Sequence, residues 1–124
     1  MGRRSFIRYR LFVGNSRGIV FGVDLMNNYT DTTAKLTSKG LRIWLEGAKL
    51  SAHGFDSLVP YSVIYDVQHR YILIAVDPTG SKKVCKSRPI IDLVNKKIGT
   101  VFNAGERLRA DFAHNSITIT GEPE

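Results

Sequence analysis

Short segments in which apolar and polar residues alternate recur along the chain, separated by turns rich in Gly, Pro, Asn and Asp. A period of two is typical of strands with one buried face. Eight or nine short strands and little helix are therefore predicted, which favours a small barrel or interlocked hairpins over an α/β fold. The predicted strands cover residues 5–13, 19–23, 34–36, 41–45, 61–66, 70–76, 89–94, 107–112 and 116–120, with 82–88 as an exposed strand or loop.

The last two thirds of the chain contain a weak duplication. Residues 41–76 and 88–120 each open with an apolar strand, continue through a compact stretch with Gly and Phe, and close with a β-hairpin. A unit of this size does not bury a core alone, whereas two packed copies do. We predict one mainly β fold of two interlocked hairpin repeats. Its parts are a basic N-terminal hairpin and connector (1–33), a tandem-repeat domain (34–120, with repeats 34–76 and 88–120) and a tail (121–124).

The alternation also predicts which side chains meet in the core. Leu50 is expected on the inner side of one or two helical turns that Gly54 ends in a left-handed conformation. Trp44 is interpreted as a core residue, with a stacking platform for a base as the alternative. The two repeats are predicted to pack through Ile43, Leu45, Ile64, Ile72, Ile74, Ile91, Leu93, Leu108, Ile117 and Ile119.

Basic residues are concentrated in clusters without interleaved acids, and the formal net charge is +7. Such clusters are typical of surfaces that contact a phosphate backbone, although a solvated basic face has the same composition. Lys96 and Lys97 form one further basic pair. The predicted nucleic-acid-binding residues are Arg3, Arg4, Arg8, Arg10, Arg17, Lys39, Arg42, Lys82, Lys83, Lys86 and Arg88.

Catalytic motifs and metal-ligand spacings are missing from the sequence, so neither an enzyme nor a cofactor nor a metal site is predicted. His69 and His114 lie in corresponding hairpin turns, and the single Cys85 lies among lysines that would lower its pKa. Asp92 interrupts an apolar strand and is expected to be buried or half-buried, with either an Arg or a loop backbone as its structural partner. The single Cys and the lack of an apolar membrane segment favour a cytoplasmic protein.

The segment LRIWL, preceded by Thr37–Ser38–Lys39–Gly40 and followed by a short helix ending at Gly54–Phe55 and a hairpin, resembles the AbrB-type swapped-hairpin fold, most closely its SymE-like members. The resemblance covers residues 34–120, and the second repeat lacks the S-K-G sequence. The same region also resembles the small basic region that precedes some phage and bacterial DNA methyltransferases. The AbrB-type resemblance implies a homodimer or, with two units in one chain, a monomeric pseudo-dimer. Most members bind DNA, some also bind a protein, and SymE-like members are linked to RNA.

Charge and resemblance together predict a non-enzymatic protein that binds duplex DNA, such as a small regulator or accessory factor from a bacterium or phage. Two alternatives remain open. One is a phage-style inhibitor that places a basic face on an acidic host protein, and the other is an RNA-binding protein. Arg8 and Arg10, which share a strand face with Phe6 and Phe12, are expected to contact phosphates. Lys39 and Arg42 are the candidates for reading bases.

Overall fold

A computed structural model describes residues 28–122. Nine short strands and two helical turns alternate along this part of the chain. They are β1 (Tyr29–Thr33), β2 (Lys35–Thr37), β3 (Gly40–Glu46), α1 (Ala48–Ala52), β4 (Pro60–Asp66), β5 (Tyr71–Val76), β6 (Lys82–Lys83), β7 (Ile90–Asn95), α2 (Ile98–Val101), β8 (Arg107–Ala113) and β9 (Ser116–Gly121). The predicted mainly β fold with little helix is confirmed. The predicted N-terminal hairpin lies outside the described residues.

The strands form two antiparallel sheets. Six strands in the order β1-β8-β9-β5-β4-β6 make a curled half-barrel, and three strands in the order β2-β3-β7 make a smaller sheet. The predicted helical turn is confirmed at α1, where Leu50 is fully buried and Gly54 has a φ of 99°. No helix among residues 28–122 is long and apolar enough to cross a membrane.

The core lies between the two sheets and is built from the inward positions of the alternating strands. Nine of the ten predicted core residues are buried, and Ile64 is the exception, with 53% of its surface exposed. Its neighbours Tyr61, Val63 and Tyr65 contribute to the core instead. The prediction for Ile64 was wrong because both faces of β4 carry apolar side chains. The face with Tyr61, Val63 and Tyr65 packs against the core, so Ile64 lies on the opposite, exposed face.

The internal duplication is longer than the sequence indicated. The amide of Ala34 donates to the carbonyl of Glu106, and the amide of Val84 donates likewise to that of Val59. Gly105 and Leu58, both with positive φ, then donate to Ala34 and Val84 respectively. These matched contacts extend the two copies to residues 29–76 (copy one) and 79–121 (copy two).

The two copies pair with each other through equivalent strands. In β3–β7 the central pair is Ile43 with Leu93, and in β5–β9 it is Leu73 with Thr118. The leading strands are exchanged, because β1 of copy one pairs with β8 and β6 of copy two pairs with β4. The strand pairings between the copies are therefore related by a pseudo-twofold axis, although β6 pairs with fewer residues of β4 than β1 does of β8.

The hairpin turns make a second set of reciprocal contacts. Arg70, in the β4–β5 turn, donates from Nε to the carbonyl of Val101 at 3.1 Å and lies over the Phe102 ring. Asn115, in the β8–β9 turn, donates from its amide to the carbonyl of His53 at 2.8 Å. Each hairpin tip thus contacts the segment that follows the helix of the other copy, or the end of that helix.

Two expectations about local structure are corrected. The polar segment 24–33 was interpreted as a connector, but Tyr29–Thr33 is a strand whose five residues pair with β8. Its Thr residues favour extended backbone, and it lies at a sheet edge, where polar side chains are stable. Trp44 was interpreted as a core residue, but it is 36% exposed on the outer face of β3.

Candidate functional site: a lysine-lined cleft

An open cleft of about 560 Å³ lies between the outer edge of β4 and the start of α2. Its walls carry three lysines, two tyrosines and several small polar side chains. The lining residues are Tyr61, Ser62, Val63, Tyr65, Ser81, Lys82, Asn95, Lys96 and Lys97. No carboxylate is among these lining residues, so the cleft is positively charged and suits an anionic group.

Asn95 organises one wall of the cleft. Its side-chain oxygen accepts a hydrogen bond from the amide of Ile98 at 3.1 Å, and its side-chain amide donates to the Tyr65 hydroxyl at 2.8 Å. Lys97 Nζ lies 5.8 Å from the centroid of the Tyr65 ring. These contacts hold the turn that carries Lys96 and Lys97 against β4, although both lysines remain exposed.

The predicted Lys39 lies next to this wall. Its turn joins β2 to β3, and the following residue, Gly40, has a φ of 120°. A Cβ at Gly40 would lie 2.6 Å from the backbone carbon of Asn95 and 2.9 Å from the amide nitrogen of Lys96. Only glycine allows this approach, so the absence of a side chain at residue 40 brings the Lys39 turn against the Lys96 backbone.

Tyr61 forms the floor of the cleft and is 3% exposed. Burial, together with the nearby charge of Asp92 and with Tyr65, raises the pKa of Tyr61 to about 12. The hydroxyl therefore stays protonated at neutral pH and adds no negative charge to the lysines. Asp66, at the far end of β4, hydrogen-bonds His69, and the hydrogen bonds from His69 lower the pKa of this carboxyl.

The cleft differs in chemistry from the pseudo-symmetry-related site. Asn95 and Tyr65 correspond to Leu45 and Phe112, which are both buried. Lys96 and Lys97, at the end of β7, correspond to Glu46 and Gly47 at the end of β3. Each pair contains one residue from each copy, so the two pairs lie on opposite sides of the pseudo-twofold axis. The side of the cleft has a polar pair and two lysines, whereas the other side has an apolar pair, an acid and a glycine. This departure from the symmetry makes the cleft the candidate functional site.

The structure brings together only part of the predicted set. Lys82 lines the cleft and Lys39 lies beside it, whereas Lys83 and Lys86 are exposed outside its lining. Arg88 is also exposed, with its guanidinium 3.7 Å from Glu46. The predicted residues Arg3, Arg4, Arg8, Arg10 and Arg17 lie outside the described residues.

Arg42 and Asp92 form an ion pair across β3 and β7. Arg42 Nε and Nη2 donate to the two carboxylate oxygens of Asp92 at 2.9 and 3.0 Å, and this hydrogen bonding to Asp92 raises the pKa of Arg42. The guanidinium also lies 4.6 Å from the Trp44 ring centroid. Of the two partners expected for Asp92, an Arg or a loop backbone, the structure shows the Arg. The predicted burial of Asp92 is wrong, because Asp92 occupies the outer face of β7. Nε and one N–H of Nη2 are engaged by Asp92, so reading a base with these donors would require Arg42 to break its ion pair with Asp92.

The other candidate groups do not assemble into a reactive site. Within residues 28–122, no three His, Cys, Asp or Glu side chains come together as a metal site. The pKa of exposed Cys85 is lowered, but the chief cause is a hydrogen bond with the Ser87 side chain, 3.7 Å away, rather than the surrounding lysines. His69 and His114 occupy equivalent turns, as predicted, each before a residue with positive φ.

Five residues of the cleft are not among the site residues predicted from the sequence: Tyr61, Tyr65, Asn95, Lys96 and Lys97. The available signal was the Lys96–Lys97 pair directly after a buried strand, recognised as a basic cluster but not as part of a site. Comparisons with protein families, curated proteins and solved structures find no match to this chain.

Proposed function

We propose that the protein is a non-enzymatic nucleic-acid-binding protein that uses the lysine-lined cleft to contact phosphates of duplex DNA. The observation that carries this proposal is the grouping of Lys82, Lys96 and Lys97 around a cleft with no acidic side chain in its lining. Cationic side chains on a neutral polar surface bind a phosphate backbone without regard to sequence. Lys39, in the adjoining turn, extends the basic surface.

Two further features support the proposal. The first 23 residues contain five arginines and no acid, which adds positive charge to the same chain. The leading strands β1 and β6 are exchanged between the two copies. Such an exchange supports the pseudo-dimer of swapped hairpins that the AbrB-type resemblance implies. Most AbrB-type proteins bind DNA. We infer that the chain is such a pseudo-dimer, which acts in the cytoplasm as a small regulator or accessory factor.

The test is the salt dependence of binding to a random duplex, measured by gel shift and by fluorescence anisotropy. Contacts with about six phosphates predict that log affinity falls with log salt with a slope near −5. Replacing Lys96 and Lys97 with Ala should flatten that slope by about 2 and weaken binding to all sequences equally. Replacing Arg8 and Arg10 with Ala should have a similar effect.

A matched control removes the same charge elsewhere. Lys35 and Arg107 are both exposed and do not line the cleft, so the Lys35→Ala, Arg107→Ala variant should change the slope much less. Single-stranded DNA and RNA of the same length are compared in parallel. A duplex that stays unshifted at micromolar protein and about 100 mM salt, below ordinary non-specific affinity, would contradict the proposal, as would equal losses for both double variants.

A further inference from the structure

The outer edges of β8 and β4 are equivalent in the two copies, but only one is fully paired. On β8, β1 pairs with every residue from Arg107 to Asp111. On β4, β6 pairs in the same register but only with Pro60 and Tyr61. The chain before Lys82 turns away at Gly80–Ser81, so Ser62–Asp66 has no strand on that side among residues 28–122.

The direction of the backbone groups follows from one hydrogen bond. The amide of Asp77, directly after β5, donates to the carbonyl of Pro60 at 3.0 Å. Successive residues of an antiparallel strand direct their backbone N–H and C=O groups to opposite sides, so those of Ser62 and Ile64 also point toward β5. The backbone N–H and C=O groups of Val63 and Tyr65 therefore point outward, away from β5. In the other copy, the amide of Phe112, equivalent to Tyr65, donates to the carbonyl of Asn28 at 2.7 Å. The open edge is thus a template for an extended chain.

The charge of the cleft specifies what kind of chain fits. Residues directly opposite each other in a sheet direct their side chains to the same face. A side chain opposite Val63 or Tyr65 therefore enters the cleft, whose walls carry Lys82, Lys96 and Lys97. Carboxylates at these positions complement the lysines. The alternate positions lie beside Ile64, which is 53% exposed and suits a small apolar side chain.

We propose that the open edge of β4 binds an extended acidic segment of a partner protein, which adds to the half-barrel sheet as an antiparallel strand. The unpaired stretch, Ser62–Asp66, is as long as β1, whose pairing with β8 covers the residues equivalent to Pro60–Ile64. The competing explanation is that Lys82 and Lys83 only protect a sheet edge from aggregation. This inference does not rest on nucleic-acid binding, because it is tested without nucleic acid.

The probe is a capped, fluorescently labelled six-residue peptide of alternating Glu and Val, and binding is measured by anisotropy and calorimetry. A Lys–Val peptide of the same length controls for charge. A Glu–Val peptide with N-methyl groups on alternate amides keeps the charge but cannot form the strand ladder. We expect the N-methylated peptide to bind about tenfold or more weakly than the unmodified one, a loss of roughly 1.4 kcal/mol, and the Lys–Val peptide not to bind.

Protein variants test the same edge from the other side. Val63→Pro removes an outward N–H that is not part of the β4–β5 ladder, so it should weaken peptide binding about tenfold while the sheet persists. Lys96→Ala with Lys97→Ala should also weaken binding, and Lys35→Ala with Arg107→Ala should not. Equal affinity for the methylated and unmodified peptides would overturn strand addition, and so would an absence of binding at millimolar peptide. The methylation test uses the native protein and does not depend on how Val63→Pro folds.

Discussion

Asn95 donates a hydrogen bond from its side-chain amide to the Tyr65 hydroxyl at 2.8 Å, and the pseudo-symmetry-related positions hold the apolar pair Leu45 and Phe112. The polar pair fixes the wall of the cleft, because Asn95 also accepts the amide of Ile98. The hydrogen bond between Asn95 and Tyr65 thus connects β4 to the turn that carries Lys96 and Lys97.

Breaking this hydrogen bond from either side should show that the two residues act together. We expect Tyr65→Phe and Asn95→Leu each to lower the free energy of unfolding by about 1 kcal/mol, since each leaves a partly buried polar group without its partner. The double variant, which recreates the Leu–Phe pair of the pseudo-symmetry-related positions, should lose less than the sum of the two. Urea denaturation followed by Trp44 fluorescence measures all four proteins. Strictly additive losses would show that the hydrogen bond contributes no coupling.

Gly40 and Gly47 offer a matched pair of substitutions. Both have φ near 120°, but a Cβ at Gly40 would meet the Asn95 backbone, whereas a Cβ at Gly47 would meet no atom within 4 Å. Backbone strain alone should make Gly47→Ala cost about 1–3 kcal/mol of unfolding free energy. Gly40→Ala should cost clearly more, because the clash adds to the strain. Similar costs in denaturant unfolding would show that the close approach is not required.

Leu93 and Ile64 test the division between core and surface. Leu93 is fully buried opposite Ile43, at the centre of the contact between the two copies. Leu93→Ala should lower the free energy of unfolding by roughly 2–5 kcal/mol through lost burial and a new cavity. Ile64→Ala shortens an aliphatic side chain at an exposed position, so it should change the free energy of unfolding by less than about 0.5 kcal/mol. A large loss at Ile64 would mean that its surface is covered in solution.

The sequence predicted the strands and most of the core because apolar alternation is a local signal. It placed Trp44 and Ile64 wrongly, since an apolar side chain on the outer face of a strand has the same local pattern as one on the inner face. It also missed β1 as a strand, because Tyr29–Thr33 is polar and is stabilised by pairing with β8, more than 70 residues later in the chain. Such long-range pairing is not visible in a local pattern.

The candidate site was only partly predictable for the same reason. Basic clusters are visible in the sequence, and Lys82 was selected from one of them, whereas Lys39 was selected because it lies at the tip of a predicted loop. The grouping of Lys82 with Lys96 and Lys97 depends on β6 and α2 lying on opposite sides of one cleft. The engagement of Arg42 by Asp92 depends equally on the pairing of β3 with β7. The equivalence of the β4 edge and the β8 edge is recognised only from the matching hydrogen bonds of Ala34 and Val84. No sequence motif predicts these two hydrogen bonds.

The buried Tyr61 should make stability sensitive to alkaline pH. Its pKa of about 12 lies above the ordinary value near 10, so the folded state favours the neutral hydroxyl. The stabilisation of the folded state by the neutral hydroxyl is fully present below about pH 10 and is lost as the pH rises toward 12. The free energy of unfolding should fall by on the order of 3 kcal/mol in total over this interval. Tyr61→Phe lacks the ionising group, so its free energy of unfolding should fall less steeply across that interval. Urea unfolding at several alkaline pH values measures both proteins.

Tyr71→Phe provides the control for this experiment. The pKa of Tyr71 is also raised, chiefly by the nearby charge of Asp66, but its side chain is exposed to solvent screening. Its removal should therefore change the pH dependence much less than removal of the Tyr61 hydroxyl. The absorbance of tyrosinate in the folded protein should also show one late-titrating group that disappears in Tyr61→Phe. If Tyr61→Phe and the native protein lose stability in parallel between about pH 10 and 12, burial does not raise the pKa of Tyr61, and the floor of the cleft is open to water.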